Sequence, residues 1–378
     1  MKVKNSERFP LVDPKIVLDL FNIKQKYLMQ RRNFNKLMAL SPVMLGVNTI
    51  KSSDEDLFCK SKLIKPTALK QGDTVALVSP ASPINPDKFQ NAITNLENMG
   101  LKPKYTNAVF SKSGYLAGSD DERLADFHNM IADPEVKAIW CLRGGYGCTR
   151  ILHKLDYALI QKNPKIIIGY SDITALLLAI FQQTGLVGFH GPVAISEVFS
   201  PFTGSQVAAI LFGNTTIPHI IPYQTQSLEK FVAGQEPYVI NAGKCSGELT
   251  GGNLSLLVCL PNTKYAPSYK NKIVFIEDVG EKPYRIDRML TFLIESTDLR
   301  NASGIVLGVF HDCEASDPET SMTLRQVLTD RLGPLNIPCF YGFTFGHVVD
   351  MSTFPIGIKA NMDTASMTVN LLEQSVEV

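Results

Sequence analysis

From Asp73 to Pro192 the chain repeats one pattern: a short apolar run, a turn carrying Gly, Ser or Pro, then a stretch with helical apolar spacing. "DTVALVSPASPI" (73–84) opens as a strand and ends in a Ser/Pro loop. "NPDKFQNAITNLENMG" (85–100) has helical spacing and a terminal glycine stop. "GSDDERLADFHNMIADP" (118–134) reads as a helix with an acidic first turn, and "VKAIWCLRGGYGCTRIL" (136–152) as a strand, a glycine loop and the start of a helix. "IIIGYSDITALLLAI" (166–180) passes from a buried strand to a helix through a sharp turn at Ser171, and "GLVGFHGP" (185–192) adds a short strand. Strands alternating with helices define an α/β fold with a parallel, doubly wound sheet.

The pattern changes between Ser200 and Gly247, where prolines at 201, 218, 222 and 237 separate polar runs, and this stretch reads as a linker. Beyond it, "GELTGGNLSLLVCL" reads as a glycine-rich turn leading into a helix, "KIVFIEDVG" (272–280) as a strand and "PYRIDRMLTFLIEST" (283–297) as a helix. "ASGIVLGVF" (302–310) and "PCFYGFTFGHV" (338–348) are apolar strands, and "FPIGIKANMDTASMTVNLL" alternates like exposed edge strands. The expected layout is an N-terminal extension (1–65), an α/β domain (66–225), a linker (226–245) and a smaller C-terminal mixed α/β domain (246–378). Sites in such chains lie at strand C-termini and between domains.

At 378 residues and 45% hydrophobic content the chain can bury a large core, and its 19% of charged residues argues against disorder. A formal charge of +1 gives no broad footprint for nucleic acid. The seven cysteines form no CxxC pair and several sit in apolar runs, so they read as small buried hydrophobes. Neither HExxH nor clustered histidines suggest a metal. "MQRRNFNKLMALSPVMLGV" (29–47) has the layout of an export signal, and Arg31 and Arg32 before "NF" resemble a twin-arginine signal, with Asn35 where leucine is usual. The competing reading is a basic amphipathic N-terminal helix. The apolar part of the segment (29–50) is too short and too broken by Pro42 to span a membrane.

Ser171 has two readings. A serine between strand and helix is commonly an N-cap. It can also be a nucleophile on an elbow that exposes its hydroxyl above the sheet, although Ile173 replaces the last glycine of G-x-S-x-G. A nucleophile needs a base and a group to orient it. "FIEDVGE" offers Glu277 and Asp278, while "FGHVVD", "GFHGP" and "VFHDC" offer His347, His190 and His311, and spacing alone does not choose among them. "LRGGYG" (142–147) supplies flexible backbone N–H groups at Gly144 and Gly145 for an oxyanion. No G-x-G-x-x-G or GK[ST] makes it a phosphate loop.

Taken in order, "LVSPASP", "LRGGYG", "IIGYSDITALLLAI", "GFHGP", "GELTGGNLSLL", "FIEDVGEKPYRIDRML" and "GFTFGHV" resemble the LD-carboxypeptidase family, the muramoyltetrapeptide carboxypeptidases, with microcin-immunity peptidases as close relatives. The resemblance covers about residues 66–370. It implies a Ser171–Glu277–His347 triad, an oxyanion hole from the amides of Gly145 and Asp172 (with Gly144 as a substitute), no metal or cofactor, and a homodimer. It also implies a site between the two domains and a substrate with a terminal D-alanine on a peptidoglycan tetrapeptide stem. Such a substrate calls for charged pocket groups, for which Arg143, Glu248 and Arg285 are candidates. A microcin-immunity-like hydrolase of a peptidyl or aminoacyl nucleotide would instead carry an aromatic stacking residue near the pocket, and the one tryptophan, Trp140, lies in a strand. A non-enzymatic small-ligand-binding module would need only the glycine loop. A cell-wall recycling role implies the cytoplasm, whereas the signal-like segment implies the periplasm.

Overall fold

The computed structural model describes residues 62–213, 220–221, 236–317 and 319–378. The signal-like segment at 29–50 and the first half of the expected linker at 226–245 lie outside the described residues. Strands β1 (Thr74–Val78), β2 (Lys102–Lys104), β3 (Val136–Cys141), β4 (Ile166–Gly169) and β5 (Phe189–His190) are followed by β6 (Ile220–Ile221), β7 (Tyr238–Asn241) and β8 (Lys244–Asn253). Next come β9 (Lys272–Glu277), β10 (Gly304–Val309), β11 (Cys339–Gly346), β12 (Phe354–Pro355), β13 (Lys359–Asp363) and β14 (Thr368–Leu371). Among the described residues, one sheet has the order β12-β5-β4-β3-β1-β2 and the other β6-β14-β13-β8-β9-β10-β11-β7.

In the first sheet β1 to β5 run parallel, and the order 2-1-3-4-5 reverses direction between β1 and β3. That switch point opens a crevice at the strands' C-terminal ends. The helices over it are α1 (Phe89–Asn98), α2 (Asp120–Ala132), α3 (Cys148–Ile151), α4 (Tyr157–Lys162) and α5 (Ile173–Thr184). Helix α2 begins with a capping box formed by Ser119 and Glu122, and α5 stops at Gly185 in the left-handed region (φ +77°). The parallel core of the second sheet, β8 to β11, includes three strands buried at every residue, as expected where both faces are covered. Helices α7 (Leu254–Leu257), α8 (Pro283–Ser296) and α9 (Leu324–Leu332) accompany it.

Three expectations change. The stretch after Ser200 opens with helix α6 (Pro201–Leu211), where Ser200 Oγ accepts the Thr203 N–H and Pro201 fills a first-turn position that needs no N–H donor. Pro201 thus starts a helix instead of marking a linker. The "GELTGGN" glycines lie within strand β8 and do not form a turn. A Cβ on Gly251 would stand 1.9 Å from the Phe275 carbonyl oxygen, and one on Gly252 would stand 2.4 Å from the Thr174 side chain, so glycine here permits backbone contact. Finally, Phe354 and Pro355 from the C-terminal region pair antiparallel with β5 and so complete the first sheet. Phe354 packs against Phe275, Phe343 and Phe345 of the second sheet at ring separations of 4.9, 5.6 and 4.7 Å, and residues Lys60–Val378 form one unit. No helix among the described residues is long and apolar enough to cross a membrane.

Candidate active site

Strand β4 ends at Gly169, and Ser171 then adopts φ +62°, a left-handed conformation that a serine holds at a cost of roughly 1–3 kcal/mol. Asp172, not Ser171, occupies the N-cap position of α5, and no side chain makes a cap bond there. Ser171 Oγ has no hydrogen-bond partner among the described residues. The strained turn therefore presents the hydroxyl to the crevice side of the sheet and does not use it to start the helix. The glycine loop after β3 lies directly against it: a Cβ on Gly144 would sit 2.9 Å from Ser171 Cβ and 3.1 Å from its Oγ.

This loop is held from several sides. Ser82 Oγ accepts the Tyr146 N–H at 3.0 Å, and the Ser82 N–H donates to the Gly144 carbonyl at 3.2 Å. Gly145 (φ +104°) has no room for a Cβ, which would fall 2.4 Å from Ser82 Oγ. The Cys148 N–H donates to Asp172 Oδ2 at 2.8 Å, tying the loop to the Ser171 turn, and burial raises the Asp172 carboxyl above the usual range. The fully buried Arg123 guanidinium donates to the carbonyls of Pro80 and Gly147 and to Asp120 Oδ1, joining the loops after β1 and β3. Backbone N–H groups of Gly144, Gly145 and Asp172 meet no acceptor among the described residues. The sequence reading missed Ser82, Arg123 and the Asp172 carboxylate. Arg123 left a signal, because it stands on the apolar stripe of α2 with Phe127, Met130 and Ile131.

Glu277 and His347 follow the same logic on the second sheet, each at the C-terminal end of a parallel strand. Glu277 closes β9 and is fully buried, and its Oε2 lies 2.8 Å from His347 Nδ1. Val309 pairs with Gly346 at the end of β11, which delivers His347 one residue later. Gly346 makes the approach feasible, since a Cβ there would stand 2.9 Å from Glu277 Oε2. The His347 ring packs edge-on against Tyr170 at 4.7 Å, beside the Ser171 turn, although Ser171 and His347 are not hydrogen-bonded. Asp278 points elsewhere. Its oxygens accept from Asn253 Nδ2, the Val279 N–H, and the Ser255 N–H and Oγ, and burial beside Glu277 pushes its carboxyl up to about 6. Of the rival bases, His190 is completely buried, while His311 is half-buried with Asp312 3.4 Å away.

The charged pocket candidates fare unevenly. Exposed Arg143 donates to the Pro83 carbonyl at 2.8 Å, and exposed Arg285 reaches Glu281 at 3.3 Å in the first turn of α8. The register of β8 places Glu248 opposite Lys272 at the start of β9 and Asn253 opposite Glu277 at its end, so Glu248 sits five residues back along the strand and is not brought beside Glu277. Trp140 is buried and donates to the Pro192 carbonyl. Cys141, Cys148, Cys313 and Cys339 are buried as expected, but Cys259 is exposed because it follows the short α7 at the surface.

A positive-φ serine on a strand-to-helix turn, free amides beside it and a carboxylate–imidazole pair on strand ends define a serine-type hydrolase. The chain belongs to the LD-carboxypeptidase family: the family's N-terminal domain matches residues 75–191 and its C-terminal domain residues 246–362. It is 43% identical over 308 residues to a probable murein peptide carboxypeptidase of Bacillus subtilis, covering 80% of this chain and 93% of that one. The murein tetrapeptide carboxypeptidase of Pseudomonas aeruginosa is 34% identical over 304 residues, covering 76% and 92%. A solved structure of MccF with glutamyl sulfamoyl guanosine superposes with a TM-score of 0.73 at 27% identity, covering 83% of this chain and 99% of that one. The protein is a serine carboxypeptidase.

Proposed function

We propose that this enzyme releases the terminal D-alanine from peptidoglycan tetrapeptide stems through an acyl-enzyme on Ser171. The observation that carries the reading is the 2.8 Å Glu277–His347 pair beside the Ser171 turn. His347 Nε2 takes the Ser171 proton as Oγ bonds to the carbonyl carbon, and Glu277 fixes the tautomer and balances the imidazolium. The negative oxygen rests on the amides of Gly145 and Asp172, or of Gly144. Collapse breaks the C–N bond, and His347 returns the proton to the departing D-alanine nitrogen. Water, activated by the same imidazole, then frees the acyl group. Ser171→Ala should abolish D-alanine release from a defined tetrapeptide, followed by mass spectrometry, with circular dichroism unchanged. Retained turnover would overturn the reading.

A second reading is supported by the likeness to MccF, a relative described as a microcin C7 self-immunity protein. Exposed Tyr115 and Tyr146 stand edge to face at 5.5 Å, and Tyr146 belongs to the glycine loop, which gives a stacking surface close to the nucleophile. Side-by-side assay of a tetrapeptide and an aminoacyl sulfamoyl nucleotide separates the two: the higher kcat/KM names the substrate class. We further infer periplasmic action from the twin-arginine-like segment, which N-terminal sequencing of the mature protein tests, and a homodimer, which sedimentation velocity tests.

A further inference from the structure

His190 is a buried histidine that the mechanism above leaves unused. Its residue is 0% exposed, yet neither ring nitrogen has a hydrogen-bond partner. Its ring is boxed by Phe275 at 5.3 Å, Phe345 at 6.1 Å and Tyr170 at 6.2 Å. An imidazole in apolar surroundings stays neutral, so it keeps one N–H donor and one acceptor.

The same place holds other unpartnered buried oxygens. Glu277 uses Oε2 for His347, while its Oε1 is buried with no partner. Phe275 and Glu277 are two residues apart on β9, so their side chains share one face, and Phe275 is the residue that touches His190. Phe345, the β11 residue that touches the His190 ring, stands two positions before His347 in the chain. Thr353, which precedes the β12 residue paired with His190, also has an unpartnered Oγ1, within 2.9 Å of where a Gly191 Cβ would lie. Orphaned buried polar atoms on several neighbouring elements are the usual setting for an internal water, which makes about three hydrogen bonds.

We propose that His190 is a positioning residue: its neutral ring donates, through one buried water, to Glu277 Oε1, the carboxylate oxygen that does not hold His347. The role rests on the triad reading. Two bonds, one to each oxygen, fix the carboxylate plane and keep Glu277 ionised, and only an ionised Glu277 can balance the imidazolium formed as Ser171 attacks. The titratable groups facing His190 are Glu277 from β9, His347 after β11 and Tyr170 after β4.

The test uses the full-length protein and two variants, His190→Phe, which keeps ring volume without a donor, and His190→Gln, which restores one. The readouts are D-alanine release from tetrapeptide and the rate at which a fluorophosphonate labels Ser171, each across pH. For His190→Phe we expect kcat to fall roughly 10- to 100-fold with KM little changed, less than the ~10⁴-fold of disabling the triad carboxylate. The acid limb of both profiles should move to lower pH, since a weakened Glu277 supports the imidazolium less. His190→Gln should restore the limb and most of the rate. A limb unmoved in His190→Phe, or a loss that His190→Gln does not repair, overturns the proposal. If His190→Phe does not fold, an ordered-solvent crystal structure of the wild type decides: a water bridging His190 and Glu277 Oε1 supports it, and an apolar gap there overturns it. Wild-type protein that labels normally but leaves tetrapeptide intact would refute the substrate and spare the positioning role; failure to label would refute the triad.

Discussion

Ser171, Glu277 and His347 owe their positions to neighbours more than to their own side chains. Gly144 lets the loop reach Ser171, and Gly346 lets the imidazole reach Glu277. At this scale Glu277→Gln should cost about 10⁴-fold in kcat, because an amide can hold the imidazole but cannot balance its charge; steady-state D-alanine release checks it. His190 gives a prediction for stability. Burial lowers its imidazole to about 4 from the ordinary 6.5, so the unfolded chain binds its proton first as pH falls. The contribution is fully present above pH 6.5 and is lost between 6.5 and about 4, where it amounts to on the order of 3 kcal/mol. Urea melts from pH 7 to 4.5 should show His190→Phe losing less stability on acidification than the wild type, and parallel curves would contradict this.

At the level of elements, the decisive pieces are two glycine-bearing segments with different roles. The "RGGYG" loop is a clamped turn, held by Ser82, Arg123 and Asp172. Arg123→Met should cost about 1–3 kcal/mol, since it strips the Pro80 and Gly147 carbonyls of a buried donor while Asp120 keeps Arg150, and denaturant unfolding measures it. The glycines of β8 make room for β9 and α5. Gly251→Ala sets a methyl against the Phe275 carbonyl at φ +138° and should destabilise by about 3 kcal/mol or more, with a matching fall in melting temperature. A cost under about 0.5 kcal/mol would mean β8 does not press on β9. The apolar runs made most strands and helices legible. The glycines of β8 read as a turn because glycine signals one locally, whereas close backbone approach depends on a strand whose facing residue, Phe275 for Gly251, is 24 positions away.

Across the whole molecule, the two sheets are stitched by the chain's last third. Strand β12 leaves the second sheet's region to pair with β5, and Phe354 fills the aromatic cluster between them. A chain truncated after Asp350 should therefore lose the fold of both sheets together, and near-ultraviolet circular dichroism would show no residual native first sheet. Persistence of a cooperative unfolding transition in that fragment would contradict the coupling.

The sequence by itself determined the α/β alternation, the serine on its strand-to-helix turn and the glycine loop, because each rests on periodicity or turn chemistry within a few residues. It offered Glu277 beside Asp278 and three histidines without choosing. Only the tertiary structure sets them apart, through strand register and burial: Glu277 faces His347, Asp278 turns to Asn253 and Ser255, His190 is sealed, His311 is half-buried beside Asp312, and Glu248 sits mid-strand opposite the start of β9. Those contacts join segments up to 70 positions apart, from Glu277 to His347, and no local pattern carries information over such a span.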